Sequence, residues 1–169
     1  YITKATAQLM RDFGSTPAPI SSWIMGMHLE SLGVRMERHC ANAQKVAEWL
    51  AADPRVSWVS FPGLETDKYH ALAEKYMPNG TCGVISFGVP GGREKVSAFL
   101  DHLKMVSIAT HVADARSCTL YPAGTTHRQL TEEQLEEAGV GIDLVRLSCG
   151  IENTADIIAD LDQALAAVQ

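Results

Sequence analysis

The segment LVRLSCGIEN, residues 144–153, sets a single arginine, Arg146, into an apolar run that stops at Ser148-Cys149-Gly150. Alternation along a strand puts Leu144, Arg146 and Ser148 on one face and Val145, Leu147 and Cys149 on the other. Arg146 then stands near a strand end, beside a turn whose glycine lets other backbone approach closely. A guanidinium held there can take a carboxylate through two parallel hydrogen bonds, a geometry lysine does not reproduce. The plainer alternative is a solvated ion pair of small energetic value.

Two further clusters carry polar chemistry. YPAGTTHRQ, residues 121–129, crowds Tyr121, Thr125, Thr126, His127 and Arg128 onto one Pro/Gly turn, the kind of loop on which function often sits. His127 has the chemistry of a base, but no serine or cysteine nearby makes a nucleophile partner, and turn formation and capping account for the same residues. IATHVADARS, residues 108–117, sets His111, Asp114 and Arg116 in a stretch without strong period. No second ligand stands at helical or turn spacing from His111, so no metal site is expected. The other histidines, His28, His39, His70 and His102, are isolated and read as helix-surface or partly buried residues.

The elements that must position these groups follow from periodicity. Residues 2–13 read as a helix, broken at GSTPAP (14–19) by prolines and a glycine. ISSWIMGMHLES (20–31) is apolar nearly all round, which reads as a core helix, or else as an interface with another domain or subunit. A long amphipathic helix is expected over 34–52, with Met36, Cys40, Ala43, Val46, Ala47 and Leu50 inward, ended by Asp53-Pro54. RVSWVSF (55–61), CGVISFGV (82–89), SCTLYP (117–122) and DLVRLSC (143–149) read as strands. Short helices are expected at 67–77, after the Gly91-Gly92 turn, and from Thr131, where Gln134 completes a capping box, Leu130 and Leu135 form a staple, and Gly139 follows as C′. A last helix begins at Thr154, capped by Asn153. The result is an α–β layered (α/β) domain of about four strands, spanning 34–169, with residues 1–33 as linking helices.

The 169 residues, 46% apolar and 20% charged, describe an ordinary globular chain. A net charge of −6 argues against nucleic acid or an anionic membrane as partner. No apolar run approaches the ~20 residues of a membrane span, and the opening YITKATAQLMRDFG has no signal-peptide core. Cys40, Cys82, Cys118 and Cys149 lack CxxC pairing and read as reduced, mostly buried thiols of a cytoplasmic protein.

YPAGTTHRQLTEEQLEEAG and VRLSCGIE together resemble the C-terminal region of the pyridoxal-phosphate enzymes of cysteine and methionine metabolism, and among them the O-acetylhomoserine sulfhydrylases. RMERHCANAQKVAEWL and VSFPGLETDKYHALAEKYMPNG are similar to the same family, so the likeness runs along essentially the whole chain. The resemblance implies the small C-terminal domain of a fold-type I architecture. The cofactor, pyridoxal 5′-phosphate, is then held mainly by a preceding large domain through a lysine, an aspartate and a stacking tyrosine, whose motifs do not occur here. Lys4 echoes the lysine context, but the ATAQLM that follows it does not match, and no catalytic residue is expected in this chain.

By the same resemblance Arg146 grips the substrate α-carboxylate, Thr126 lines that pocket, and His111 stands near it where relatives carry serine or asparagine. Thr110 replaces a glutamate common in the cystathionine lyases. The implied whole reaction converts O-acetyl-L-homoserine and sulfide to homocysteine and acetate, in a homo-oligomer, a tetramer, with the fragment alone inert. Alternatives are a cystathionine γ-synthase or methionine γ-lyase type domain, or a non-catalytic amino-acid-binding module.

Overall fold

The computed structural model describes residues 1–168 and resolves into two compact units, Tyr1–Val34 and the remainder from Arg35. In the first unit, α1 (Ile2–Lys4) passes through a π-helical stretch, Ala5–Met10, into α2 (Arg11–Phe13). After the proline-rich break, α3 (Pro19–Glu30) starts with Pro19 in the first turn, where the missing N–H costs nothing. None of its side chains is buried: Ile20, Trp23, Ile24, Met25, Met27 and Leu29 are all exposed. Among the described residues α3 is therefore not a buried helix.

The second unit is built on α4 (Leu32–Ala52), whose inward stripe is Ala43, Val46, Ala47 and Leu50. Asp53 ends it as the pre-proline residue, and its carboxylate takes the Arg55 N–H at 2.9 Å in a tight turn. His39 and Asn42 are also buried on that stripe, whereas Met36 is exposed and Cys40 half-buried. The expected inward face is thus rotated toward two polar residues. His39, at 1% exposure, is a core residue rather than a surface one.

Five strands, one more than expected, form a sheet in the order β1-β2-β5-β4-β3. They are β1 (Val59–Ser60), β2 (Val84–Gly88), β3 (Ser107–Ile108), β4 (Cys118–Leu120) and β5 (Leu144–Ser148). β3, which runs parallel to β4, has two residues and so carries no period to read. The other neighbours are antiparallel. β5 is central: Val145 pairs with Phe87 and Leu147 with Ile85, putting all four apolar side chains on one face. That face is covered by α4, α6 (Gly92–His102) and α8 (Thr154–Ala166), through Val46, Leu50, Phe99, Leu100, Ile157 and Leu161. Phe87 meets Phe99 edge-on with ring centroids 6.0 Å apart. The short α5 (His70–Tyr76) contributes the buried Ala73.

Helix ends follow their local chemistry. α7 (Glu132–Glu137) carries the full capping box, the Thr131 hydroxyl accepting from Gln134 N–H and the Gln134 side chain accepting from Thr131 N–H. Leu130 and Leu135 both pack into the core, and Gly139, at φ +69°, adopts the left-handed cap. Asn153 caps α8 by accepting from Ala155 N–H at 3.1 Å.

The turn between α6 and β3 is fastened by Asp160 of α8. Its carboxylate, only 6% exposed, accepts the backbone N–H groups of Lys104, Met105 and Val106 at 2.8–2.9 Å. Burial pushes its pKa up, but those three backbone donors outweigh it, aided by Gln163, and hold the group below the ordinary carboxylate value. A depressed folded pKa means the stabilisation is in force above about pH 4 and is lost as pH falls through the folded value. Asp160→Asn, which turns one amide N–H against these donors, is expected to cost about 2–3 kcal/mol at pH 7. Urea unfolding across pH 7 to pH 3 checks it: the gap between the two proteins narrows on the acid side.

Candidate functional site

Arg146 occupies the middle of the central strand, paired with Ser86 of β2 on one side and Leu120 of β4 on the other. Period-two alternation sends its side chain to the face opposite the helices, with Ser86 and Ser148. It is half-buried, and its Nη2 donates to the Thr110 carbonyl at 2.9 Å. No acidic side chain among the described residues forms an ion pair with it, so the surface ion-pair reading is not what the fold builds. A guanidinium has five N–H donors, and the single protein bond at Nη2 leaves an edge for an anion.

Thr110 and His111 lie in the segment between β3 and β4, so the fold brings that segment to Arg146. The His111 side chain is exposed, while its carbonyl accepts from the Cys118 thiol at 3.1 Å. Thr126 is exposed, and its hydroxyl lies 2.9 Å from His127 Nδ1. Its turn leaves β4 one residue after Leu120, the register partner of Arg146, but no hydrogen bond joins Thr126 to Arg146. Much of the 121–130 turn is self-satisfied: Thr125 donates to the Tyr121 carbonyl at 2.6 Å, and His127 N–H to the Pro122 carbonyl at 2.9 Å. The buried Tyr121 hydroxyl donates to the Ile142 carbonyl at 2.9 Å. Turn formation accounts for these residues, and His127 meets no nucleophile.

The turn after β5 is bound by groups that sequence reading passed over. His39 Nδ1 lies 2.6 Å from the Cys149 carbonyl, which can only accept, so that nitrogen carries the proton. Nε2 of the same ring is buried without a hydrogen-bond partner among the described residues. Asn42 donates to the Gly150 and Glu152 carbonyls, both at 2.9 Å, and accepts from the Thr154 hydroxyl at 2.6 Å. The Cys149 thiol is pushed up to about 12 by burial, with the Glu152 charge adding to it, and is no nucleophile. The available signal was a histidine and an asparagine three residues apart on an apolar helix stripe: buried polar side chains require partners.

A pyridoxal phosphate group needs a lysine amine facing an aromatic ring and a carboxylate. Here Lys95 bonds the Val168 carbonyl, Lys68 and Lys75 lie over the rings of neighbouring Tyr69 and Tyr76, and Lys4 is exposed on α1. These residues do not by themselves fit the cofactor. A cavity of about 390 Å³ between α4 and α5 is lined by Glu37, Cys40, Gln44, His70, Glu74 and Met77, among others, with no lysine in its wall. Among the described residues no set of three or more His, Cys, Asp or Glu could hold a metal ion, and no helix is long and apolar enough to cross a membrane.

Residues 1–166 match the family described as Cys/Met metabolism PLP-dependent enzyme. The chain is 45% identical to the O-acetyl-L-homoserine sulfhydrylase of Leptospira meyeri over 98% of its own length and 38% of that protein's. It is 39% identical to O-acetyl-L-homoserine sulfhydrylase 1 of Thermus thermophilus, over 98% of this chain and 39% of that one. Among solved structures it resembles one described as an O-acetylhomoserine (thiol)-lyase from Campylobacter jejuni, which carries a pyridoxyl-lysine monophosphate. The TM-score is 0.88 at 38% identity, covering 96% of this chain and 39% of that one. Cystathionine γ-lyase from yeast also gives a TM-score of 0.88, at 34% identity, over 95% of this chain and 41% of that one. The chain therefore spans about two fifths of the length of the relatives it matches, and it belongs to the pyridoxal-phosphate-dependent enzymes of cysteine and methionine metabolism.

Proposed function

We propose that this chain is the C-terminal domain of an O-acetylhomoserine sulfhydrylase, converting O-acetyl-L-homoserine and sulfide to L-homocysteine and acetate. Residues 1–33 are the linking helices toward a preceding large domain, and residues 34–169 are the small domain. The observation that carries this reading is Arg146: a half-buried guanidinium on the central strand, anchored by one carbonyl and unpaired with any described carboxylate. Its remaining N–H edge suits the α-carboxylate of an amino acid, and the 110–111 segment and the turn bearing Thr126 flank it. Thr126 and His111 are the further substrate-binding residues of this reading.

The cofactor, held by the preceding domain, supplies the electron sink for the carbon chemistry. The task of this chain is to bind and orient: two parallel bonds from Arg146 fix the amino acid so that its reacting C–H bond points one way. The exposed apolar side chains of α3, Trp23, Met25 and Met27 among them, are covered in the whole enzyme by that domain or by a neighbouring subunit of a tetramer. The names of the relatives favour the sulfhydrylase over a cystathionine γ-synthase or methionine γ-lyase. The protein works in the cytoplasm, and the chain alone is inert.

In the full-length enzyme, Arg146→Ala is expected to raise KM for O-acetylhomoserine on the order of a hundredfold while KM for sulfide stays within about twofold. Arg146→Lys recovers only part of the loss, because a point charge lacks the fork. Steady-state kinetics with each substrate varied in turn decides it; equal rises for both substrates remove the carboxylate assignment. The isolated chain incubated with pyridoxal phosphate and then borohydride is expected to show no adduct at Lys4 by peptide mass spectrometry. Stoichiometric labelling there contradicts the division of labour proposed.

A further inference from the structure

The nine residues 109–117, between β3 and β4, form a strap over the carboxyl end of β5, and its fastenings lead to Glu152. At one end the Thr110 carbonyl takes the Arg146 Nη2 bond at 2.9 Å. In the middle, Ala113 N–H donates to the Ser148 hydroxyl at 3.0 Å, with Ala113 at φ +58°, a conformation a non-glycine residue keeps only when its surroundings enforce it. Further on, the Ala115 carbonyl accepts from Ile151 N–H at 2.9 Å.

At the other end, the wholly buried Ser117 gives both its N–H (2.6 Å) and its hydroxyl (2.9 Å) to the Glu152 carboxylate. The same hydroxyl accepts from Gly150 N–H at 2.8 Å. Gly150 has no room for a side chain: a Cβ there would lie 2.2 Å from Glu152 Oε2, 2.5 Å from the Ala115 carbonyl and 2.5 Å from Ser117 N. Any Cβ would therefore pry the carboxylate off the strap.

Glu152 thus faces two ways. Its side chain holds the strap, and its main-chain carbonyl is held to α4 by Asn42 at 2.9 Å and by Arg38 at 3.1 Å. Two charge-assisted bonds to one buried serine are strong and geometrically exacting. A slack strap would carry the Thr110 carbonyl away from Arg146 and release the guanidinium to other rotamers. We infer that Glu152, acting through Ser117 and the strap, is a positioning residue for Arg146, presetting the edge of the guanidinium that meets the substrate carboxylate. This rests on the carboxylate role proposed for Arg146.

The test is a double-mutant cycle in the full-length, cofactor-loaded enzyme. Glu152→Ala is expected to raise KM for O-acetylhomoserine about tenfold with KM for sulfide unchanged, and Glu152→Gln, which keeps one acceptor oxygen, less. In an Arg146→Ala background, Glu152→Ala is expected to add nothing to the amino-acid KM, since the group it positions is gone. Additive effects, or equal rises for both substrates, overturn the inference and make Glu152 a general stability residue. If Arg146→Ala itself leaves the amino-acid KM unchanged, the carboxylate reading fails first. If that variant behaves as proposed and Glu152→Ala does not, only the positioning role fails. Should Glu152→Ala not fold, Ser117→Ala, which removes the hydroxyl between Gly150 and Glu152, carries the same expectation and the same refutation.

Discussion

Strand β5 has to keep consecutive side chains on opposite faces, and the second unit is organised around that constraint. Val145 and Leu147 close the core against Phe87 and Ile85 while Arg146, between them, is sent to the other side. A slip of one residue would bury the guanidinium under α4 and α8 at a cost of several kcal/mol and expose two core side chains. The apolar face therefore fixes the place of the charge as firmly as any bond to it. Two antiparallel neighbours, β2 and β4, satisfy the strand backbone along both edges, so the arginine Cα is fixed by pairing on both sides.

Alternation aims the arginine at the right face but does not hold its long side chain. That is done by backbone carbonyls and a polar cluster at the strand end, where β5 leaves the sheet. His39 and Asn42 reach from α4 to three main-chain carbonyls of the turn, those of Cys149, Gly150 and Glu152. A turn leaving a central strand beneath a helix cannot offer those carbonyls to water, so the helix must supply donors at positions its amphipathic pattern would otherwise make apolar. The polar pair on the stripe of α4 is thus explained by what lies opposite it.

The first unit shows the reverse situation. α3 carries as many large apolar side chains as a core helix, and all of them face outward. Soluble proteins do not leave so extensive an apolar surface uncovered, which agrees with a chain spanning two fifths of the length of its relatives. The same feature is unreadable as core or as interface until neighbouring layers are known, since hydrophobicity records only that a surface is to be buried.

Local features were legible in the sequence because they depend on neighbours along the chain. The Thr131 capping box, the Asp53-Pro54 stop, the Asn153 cap and the alternation of LVRLS each rest on contacts within a few residues. The motifs carrying the family likeness were equally legible. The two-residue strand β3 was not, since a strand that short exists only through its pairing with β4. Nor were the burial of His39, the anchoring of Arg146 by Thr110 thirty-six residues away, or the grip of Glu152 on Ser117. The sequence by itself determined the longer helices and strands, which face of β5 bears the charge, and the family. Only the tertiary structure decided what restrains that charge, because the restraining groups come from separate segments whose meeting depends on packing, and no periodicity along the chain records which distant carbonyl a side chain will meet.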